Sequence, residues 1–535
     1  MKLDAVVVGA GFAGIYMLHR LREMGLSAKL IEAGSDVGGV WYWNRYPGVR
    51  CDVESIDYQY QFSDEIQRGW RWPERYSEGR VIQQYLAYVA DTLHLRPDII
   101  FDTRVEAANF DDTAGCWLVR TSRDEELSTR FLILATGPLT VTNIPDFPGL
   151  ENFQGRLLHT ARWPSEQIDF AGRDVAVIGT GSSGVQSIPV IARDAKSLTV
   201  FQRTAAYSIP AFNQIHSDDD IADAHARFSE DRQTRITSAG GMRWPLNTQS
   251  VFDVSPEERE AEFERRWRTG GFGFLLSYRD LLVSLDANEQ AAEFVRRKIR
   301  EKIRDPQTAE VLTPRSYPLG TKRPCLDVDY FETFNRPNVR LVDVRRDPID
   351  RFSMAGIVAG GVEYAFDDIV LATGFDAMTG AVLGIELKGR GGVALKDLWA
   401  DGPRSFLGIG VAGFPNLFML DGPGSPSIIV NAPIVIEQQV DWIADCIAYM
   451  EAHDISTIEP EEEVQESWTQ HVDEVANYTL YPRADSWGIG ANIPGKPRVF
   501  MLYLGGLDTY RRKCDEVAAN GYEGFRLDRE TAAQT

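Results

Sequence analysis

Short apolar runs alternate with amphipathic stretches along most of the chain, which is the pattern of an α/β protein built on parallel sheets. Residues 5–8 (Ala-Val-Val-Val) read as a buried strand, and residues 15–24 read as the helix that follows it. A second strand and helix begin in the same order at residue 175. Because each such unit can bind one dinucleotide, the pattern predicts two Rossmann-like dinucleotide-binding domains.

The alternation stops between residues 210 and 318, where the sequence is charged and has helical periodicity. Residues 255–258 (Ser-Pro-Glu-Glu) form a capping box with proline at the first helical position, and two glycines at 270–271 end that helix. A second helix is predicted over residues 288–304, ended by Asp305-Pro306. We therefore expect an all-helical insertion in the second nucleotide domain.

A glycine-rich turn joins the first strand to its helix. Glycines in the pattern G-x-G-x-x-G allow a tight turn and let the backbone approach a pyrophosphate at a helix N-terminus. The next strand ends in Glu32, whose carboxylate can accept hydrogen bonds from a ribose and repels a 2′-phosphate. This unit therefore predicts a site for FAD or NAD rather than NADP, and its residues are Gly9, Gly11, Phe12, Ala13, Gly14 and Glu32.

The second unit has the same kind of turn but the opposite charge after its next strand. Arg203 and Thr204 stand where the first unit has a carboxylate. Because a guanidinium can bind a 2′-phosphate through two hydrogen bonds, we expect this site to prefer NADPH. Its predicted residues are Gly179, Thr180, Gly181, Ser182, Ser183, Gly184, Gln186, Arg203 and Thr204.

Two segments before the second turn have unusual compositions. An aromatic loop with glycine punctuation, residues 38–52, suits a loop wrapped over a flat ring, with Asp52 able to reach into the site. A linker between the two turns reads F-x-G-x-x-x-H-x-x-x-W-P, and its motif residues are Phe153, Gly155, His159, Trp163 and Pro164. Between these segments a buried strand leads into Ala-Thr-Gly at residues 135–137, and Leu139 just beyond it is expected to face substrate.

Three segments toward the C-terminus also contain candidate functional residues. Lys322 and Arg323 precede a proline. Residues 427–433 are largely apolar and lead into a helix expected from about residue 435, whose N-terminus can lie under a flavin ring. A loop rich in glycine and proline, with Trp487 as its large aromatic, can move and dock.

These motifs together resemble those of the type I Baeyer–Villiger monooxygenases, flavoenzymes that insert one oxygen of dioxygen next to a ketone carbonyl. The linker motif matches, as do G-G-x-W-x-x-x-R-Y-P-G-x-x-x-D at residues 38–52, K-R-P at 322–324 and A-T-G-F-D-A-x-T-G at 372–380. The resemblance covers almost the whole chain. One departure is Glu78-Gly79, where the family usually has Gln-Pro, so the pocket wall is expected to differ there.

The resemblance implies a role for each matching position. Arg323 is the residue on which the chemistry depends, Asp52 pairs with it, and Lys322 contacts the NADP phosphate or ribose. The other implied flavin and NADP contacts are Gly39, Val40, Trp41, Tyr58, Ala432 and Trp487, and the ketone pocket is implied for Leu139, Ser427, Ile428, Ile429 and Val430.

The family's reaction gives the expected function. NADPH reduces FAD, dioxygen adds to the reduced flavin, and the resulting flavin peroxide converts a ketone into an ester or lactone. One alternative is a flavin monooxygenase that oxidises nitrogen or sulfur, which shares both glycine turns. Another is a non-catalytic dinucleotide sensor, which needs neither Arg323 nor Asp52.

Composition narrows the possible partners. The chain has 56 Lys and Arg against 78 Asp and Glu, a net charge of −22, which disfavours binding to nucleic acid or anionic membrane. No pair of its 5 cysteines forms C-x-x-C, which argues against a dithiol reductase. No apolar run approaches the roughly 20 residues needed to span a bilayer. We expect a monomeric cytoplasmic enzyme without a metal site.

The motifs and the periodicity together predict how the chain is divided into domains. The FAD-binding domain takes residues 1–140 and 379–535, the latter with a mobile loop at 485–497. Residues 141–165 form the linker, and residues 166–210 and 319–378 form the NADP-binding domain. The helical insertion takes residues 211–318.

Overall fold

The computed structural model describes residues 2–529, so the outer ends of the predicted FAD-binding domain, residue 1 and residues 530–535, lie outside the described residues. The strands in chain order are β1 (Lys2–Val8), β2 (Ala28–Ile31), β3 (Ile99–Ile100), β4 (Val105–Asp111), β5 (Cys116–Thr121), β6 (Glu126–Leu134), β7 (Arg156–His159), β8 (Asp174–Ile178), β9 (Ser197–Gln202), β10 (Ser208–Pro210), β11 (Cys325–Asp327), β12 (Val339–Asp343), β13 (Ile349–Phe352), β14 (Gly356–Ala359), β15 (Val362–Ala365), β16 (Asp368–Leu371), β17 (Glu386–Lys388), β18 (Leu417–Met419), β19 (Ile455–Pro460) and β20 (Phe525–Arg529). The α-helices are α1 (Phe12–Glu23), α2 (Val40–Trp43), α3 (Asp64–Arg68), α4 (Gly79–Thr92), α5 (Ser182–Asp194), α6 (Asp218–Ala226), α7 (Phe228–Thr237), α8 (Pro256–Thr269), α9 (Leu285–Lys302), α10 (Pro306–Leu312), α11 (Tyr330–Thr333), α12 (Gly380–Leu383), α13 (Leu395–Leu398), α14 (Ala432–Ala452), α15 (Glu462–Asn477) and α16 (Leu507–Ala519).

In the first sheet, the N-terminal strand β1 is an interior strand. The order of this sheet is β17-β4-β5-β6-β1-β2-β3, and β18 also pairs with β6. Strand β1 pairs in parallel with β2 and β6, and Val6 and Val7 on opposite faces of it are both fully buried. Burial on both faces explains why this strand is a continuous apolar run rather than an alternating one.

The second sheet is entirely parallel, in the order β12-β9-β8-β16-β7. Residues 156–159 of the linker motif form its edge strand β7, paired with β16. A small antiparallel sheet, β13-β14-β15, lies between β12 and β16 in the chain. The first sheet is mixed, since β5 runs antiparallel to β4 and β6, but its β1, β2 and β6 are parallel. Two Rossmann-like units, each with a glycine turn after a parallel strand, confirm the predicted fold class, while the domain boundaries stay a prediction.

Residues 211–318, all within the described part of the chain, contain helices and no strand. The capping box is confirmed, since Ser255 accepts from the backbone N–H of Glu258 and Glu258 accepts from that of Ser255. Helices α8 and α9 pack through Phe263 and Phe294, whose ring centroids are 5.5 Å apart. Strands β10 and β11 pair where the chain enters and leaves this insertion.

The predicted starts of α1, α9 and α14 are each about three residues late, and α10 was not predicted. Asp305-Pro306 does not only end a helix, because the Asp305 carboxylate accepts from the Thr308 N–H at 2.8 Å and starts α10. Helix α14 begins at residue 432 rather than 435, since Pro433 fits the first helical turn. Helix α1 begins at residue 12 rather than 15, directly after the glycine turn.

The chain crosses between the two sheets at residues 135–143 and 372–380, here called the crossing segments. They run beside each other and share backbone hydrogen bonds. Asn143 donates to the Gly374 carbonyl, Asp376 donates to the Val141 carbonyl, each at 2.9 Å, and Met378 donates to the Pro138 carbonyl at 2.8 Å. These hydrogen bonds between the two crossing segments therefore fix the position of one sheet relative to the other.

Over residues 2–529, no helix combines the length and apolar character that a membrane span requires. The same residues contain no cluster of His, Cys, Asp and Glu side chains arranged to hold a metal ion. All five cysteines are free thiols.

Candidate active site

The first glycine turn, residues 9–14, has room for backbone only. Gly9 has φ +105°, and a Cβ there would lie 2.5 Å from the Ala135 carbonyl oxygen. A Cβ on Gly14 would overlap the Gly9 carbonyl oxygen. Because only hydrogen atoms fit, helix α1 packs directly behind the turn, and no side chain caps its N-terminus. A helix N-terminus without a cap suits a phosphate.

Glu32 lies beside this turn at the end of β2 and is buried. Its carboxylate accepts from the Ala10 N–H at 2.7 Å and from the Gly34 N–H at 2.6 Å. Burial raises the pKa of Glu32 above its usual value, and the backbone N–H groups act against that rise. Each oxygen keeps a lone pair, so the carboxylate can still accept from a ribose hydroxyl.

The aromatic loop folds back onto the first turn. Gly39 is packed so closely against Gly11 that a Cβ on it would lie 2.8 Å from the Gly11 Cα. Helix α2 then presents Trp41, whose indole donates to the Tyr58 hydroxyl at 3.3 Å. Tyr58 in turn packs edge-on against Phe12, with centroids 5.2 Å apart. These aromatic side chains line one side of the turn, where a flat ring can lie.

Arg323 and Asp52 form a bidentate ion pair. The Arg323 Nε donates to Asp52 Oδ2 at 2.5 Å and Nη2 donates to Oδ1 at 2.9 Å. The remaining Nη1 donates to the Ile428 carbonyl at 2.6 Å, and the guanidinium carbon lies 4.3 Å from the Phe272 centroid. Burial alone would lower the pKa of the Arg323 guanidinium. The attraction of the Asp52 carboxylate is stronger than this effect, so the pKa of Arg323 lies above its ordinary value. The guanidinium is therefore a fixed, oriented positive charge.

The predicted ketone pocket adjoins this pair. Ser427, Ile428 and Ile429 form a single 3-10 turn, and Val430 after it is buried. Ile429 and Leu139 pack together with Trp487 in one apolar cluster. The structure thus brings the pocket residues against Arg323, since the Ile428 carbonyl is its third partner.

The second glycine turn, residues 179–184, repeats the geometry of the first. Gly179 has φ +110°, and a Cβ on it would overlap the Ala372 carbonyl oxygen. A Cβ on Gly184 would overlap the Gly179 carbonyl oxygen. The Thr180 hydroxyl donates to the Thr204 carbonyl at 2.9 Å, which ties the turn to the end of β9. Gly181 and Ser182 are exposed at the start of α5.

Lys322 and Arg203 lie near each other at this second turn. The ammonium of Lys322 is 4.8 Å from the Tyr317 centroid. Burial lowers the pKa of Lys322, and the nearby charge of Arg203 lowers it further. Among the described residues, no acidic side chain forms a salt bridge with either cation. Two cations without a paired carboxylate suit a phosphate dianion.

The linker motif builds the edge of the second sheet. Phe153 packs on the core beneath the small antiparallel sheet. Gly155 has no room for a side chain, because its Cβ would lie 2.5 Å from the Asp367 carbonyl and overlap the Phe153 ring. Trp163 is buried and packs against Phe170 at 6.3 Å, and Pro164 follows it. These three residues of the motif therefore make packing contacts within the protein.

His159 joins the linker to both crossing segments. Its Nδ1 accepts from the Ala161 N–H at 3.0 Å. Its Nε2 lies 3.3 Å from the Asn143 carbonyl oxygen and 3.2 Å from the Thr373 hydroxyl. Because Nδ1 accepts, the ring proton is assigned to Nε2. Burial lowers the pKa of His159, so the ring is neutral near pH 7.

We predict that His159 acts by holding the crossing segments rather than by transferring a proton. His159→Ala should slow turnover several-fold and leave the flavin bound, because the residue lies at a strand end and not beside either turn. Rates measured over pH 6 to 9 should keep both limbs of the wild-type profile. A profile that loses one limb in this variant would assign His159 a proton-transfer role instead.

The closing loop, residues 485–497, is docked on the crossing segments. Asn492 donates to the Phe375 carbonyl at 2.7 Å. Lys496 donates to Asp376 at 2.5 Å and to the Ala377 carbonyl at 2.7 Å. The Asn143 amide donates to the Asn492 carbonyl at 3.3 Å. The loop that carries Trp487 is thus hydrogen-bonded to the same crossing segments that His159 contacts.

We predict that Lys496→Met loosens this loop. The ion pair with Asp376 is lost, so residues 485–497 should exchange amide hydrogen faster and be cut more readily by a protease that does not depend on lysine. Oxidised coenzyme should bind more weakly, and more hydrogen peroxide should form per NADPH consumed. Lys196→Met, which removes an exposed pair with Asp174, is the control. Equal exchange and coupling in the two variants would contradict a docking role for Lys496.

Sequence reasoning did not identify several of these positions. It missed Asn143, Asp376, Asn492 and Lys496, although the last two are polar residues within a loop otherwise rich in glycine and proline. The amide of Gln186, a residue predicted to contact the coenzyme, binds the aromatic loop, and its coenzyme contact stays a prediction.

Comparison with known proteins is consistent with this geometry. A family model described as pyridine nucleotide-disulphide oxidoreductase matches residues 6–215. A Baeyer–Villiger monooxygenase of Pseudooceanicola batsensis is 42% identical over 98% of this chain and 96% of its own length. The phenazine N-monooxygenase PhzNO1 of Lysobacter antibioticus is also 42% identical, over 98% of this chain and 97% of its own length.

A solved structure extends the likeness to the fold. Oxidised steroid monooxygenase bound to NADP superposes with a TM-score of 0.95 at 49% identity, covering 98% of this chain and 99% of that one. Identity of this size over whole chains indicates common descent rather than a shared fold alone. The chain belongs to the Baeyer–Villiger monooxygenase family.

Proposed function

We propose that this protein is an NADPH- and dioxygen-dependent flavin monooxygenase that converts ketones into esters or lactones. The observation that carries the proposal is the Asp52–Arg323 ion pair, which fixes a positive charge against the apolar wall at Ile428. Inserting oxygen beside a carbonyl places negative charge on the reacting oxygen atoms. A preorganised cation in a pocket with little water stabilises that charge more strongly in the transition state than solvent does.

The residues present fit both nucleotides. The first turn, with Glu32 beside it and Trp41 and Tyr58 over it, suits FAD, whose adenosine ribose can donate to the carboxylate. The second turn with Arg203 and Lys322 suits NADPH, whose 2′-phosphate needs cations. When bound, the flavin takes a hydride from NADPH and then activates dioxygen. The chain's own groups orient, shield and stabilise charge.

Each group at the site has a separate task. Arg323 supplies the charge, and Asp52 holds the guanidinium plane through two hydrogen bonds. Ile428, Ile429 and Leu139 exclude water from the pocket, which strengthens the electrostatic effect of Arg323. The closing loop covers the site while it is docked on the crossing segments.

Oxidation of a ring nitrogen is the second candidate, because the phenazine N-monooxygenase is as similar to this chain as the ketone-oxidising relative described above. The two candidates differ in product. Purified enzyme would be supplied with NADPH and air and tested on linear, cyclic and polycyclic ketones, a heteroaromatic amine and a thioether. Ketone products heavier by one oxygen support the proposal. N-oxide formation without any ester or lactone would replace it.

We further propose that the enzyme is a cytoplasmic monomer divided into the domains given above. The five free cysteines and the net charge of −22 suit that setting. Light scattering on a sizing column should give the mass of one 60.0 kDa chain, and a dimer mass would contradict the proposal.

A further inference from the structure

The aromatic loop of the first sheet is bound by one side chain from the second. The Tyr46 hydroxyl donates to Gln186 Oε1 at 2.7 Å, and the Arg50 N–H donates to the same oxygen at 3.3 Å. Gln186 Nε2 donates to the Arg50 carbonyl at 3.1 Å. A single amide therefore satisfies both main-chain groups of Arg50, as a neighbouring strand would.

The backbones also meet at this point. Gly48 has φ +83°, and a Cβ on it would overlap the Gln186 carbonyl oxygen and lie 3.0 Å from Val190. Tyr46 is buried in the core of the second sheet. The Tyr-Pro-Gly stretch of the aromatic loop thus docks on helix α5, and close contact with that helix requires its glycine.

Helix α5 begins at the second glycine turn, and Gln186 lies one turn further along it. The Arg50 side chain extends the other way, to Glu74 at 2.5 Å and to the Tyr76 carbonyl at 2.8 Å, within the first half of the chain. Arg50 is therefore held through its main chain by helix α5 and through its side chain by the segment that precedes α4. Two residues later, Asp52 meets Arg323.

We propose that Gln186 is a positioning residue that sets the Asp52–Arg323 pair relative to the second glycine turn. It does not contact the reacting atoms. Gln186 fixes the backbone at Arg50 and thereby the position of the Asp52 carboxylate relative to the N-terminal end of α5. Because Asp52 binds Arg323, the position of the Arg323 guanidinium is fixed as well. The proposal rests on the proposed function, because it assigns Gln186 a task through Arg323.

Three roles for Gln186 give different results. A direct coenzyme ligand, the role predicted from sequence, would change mainly the Michaelis constant for NADPH. A residue that only packs would change melting temperature. A positioning residue changes ketone turnover and the fraction of NADPH lost as hydrogen peroxide, with coenzyme affinity nearly unchanged.

The test compares Gln186→Leu with Gln465→Leu. The control removes another helix glutamine, on α15, whose amide oxygen accepts a loop N–H, that of Ala412 at 2.8 Å. Gln186→Leu should lower ketone turnover about tenfold to a hundredfold, the range for small displacements of reacting groups. Its Michaelis constant for NADPH should stay within about twofold of wild type, and its melting temperature should match the control.

A second measurement does not depend on enzyme activity. It is the rate of amide hydrogen exchange in residues 46–52 of the protein without coenzyme. Exchange should be faster in Gln186→Leu and unchanged in Gln465→Leu. A double variant with Arg323→Ala should lose little more than Arg323→Ala alone, because both changes act on the same group.

Two outcomes would overturn the proposal. Wild-type turnover and coupling in Gln186→Leu would show that the contact has no effect on the reaction. Additive losses in the double variant would show that Gln186 acts independently of Arg323. A wild-type enzyme that forms no ester or lactone refutes the proposed function instead, and the exchange measurement still decides whether Gln186 holds the loop.

Discussion

Arg323→Ala should reduce ester or lactone formation by about a hundredfold to a thousandfold, which corresponds to roughly 2.7–4 kcal/mol for one preorganised donor. The loss is this large because Asp52 would keep its negative charge without a partner and would repel the charge that develops on the reacting oxygen. The Ile428 carbonyl would also lose its donor, so the pocket wall would be less well fixed.

The other steps should survive this change. Arg323→Ala should remain yellow, and NADPH should still bleach the flavin under anaerobic conditions, because neither glycine turn contacts Arg323. Arg323→Lys keeps the charge but cannot hold both Asp52 oxygens with one planar group, so it should recover only part of the activity. Stopped-flow bleaching and product quantification separate the two steps. Ester formation at the wild-type rate in Arg323→Ala would refute the assignment.

Removing Arg203 or Lys322 should weaken the preference for NADPH. A charged contact to phosphate contributes on the order of 1.5–3 kcal/mol, so kcat/KM with NADPH should fall about tenfold to a hundredfold in Arg203→Ala. Efficiency with NADH should change little. Burial and, after it, the nearby charge of Arg203 lower the pKa of Lys322. Lys322→Met should have a similar effect, since a bound phosphate would compensate both the burial of this cation and its repulsion from Arg203.

The control for this pair is Arg193→Ala, an exposed arginine on α5 that pairs loosely with Asp329 at 3.8 Å. Steady-state kinetics with both coenzymes should show no change of preference in the control. If wild type uses NADH and NADPH with equal efficiency, the two cations do not read the 2′-phosphate.

Local signals in the sequence were sufficient to predict the two strand-turn-helix units that suit nucleotides. Gly9 and Gly179 stand at positive φ, where a Cβ meets a carbonyl of the neighbouring strand, so the glycines are fixed by geometry that recurs in both units. The charge of the residue after the next strand, Glu32 or Arg203, predicts by elementary electrostatics which nucleotide each unit binds. Both signals lie within one strand-turn-helix unit and need no tertiary information.

Long-range contacts could not be derived in this way. Asp52 and Arg323 are 271 positions apart, and only the family resemblance paired them. Gln186 is on a helix that begins at a nucleotide turn, so its position suggested a coenzyme contact, but its direction depends on how the aromatic loop docks. Strand β7 has four residues, too few for periodicity to identify it within the linker. Asp305-Pro306 is ambiguous because the same dipeptide ends one helix and caps another.

The order of strands in the first sheet has a consequence for how the protein is made. Strand β6 pairs with β18, with Leu132 opposite Leu417, and the whole second sheet and helical insertion are synthesised between them. The second sheet is complete once β16 has left the ribosome. At that stage β6 is paired with β1 and, through residues 126–129, with β5, but residues 132–134 lack their partner on the second edge until β18 emerges. During translation the coenzyme half can therefore fold as a unit first, while the flavin half keeps a short apolar edge open, which is a point of exposure to aggregation.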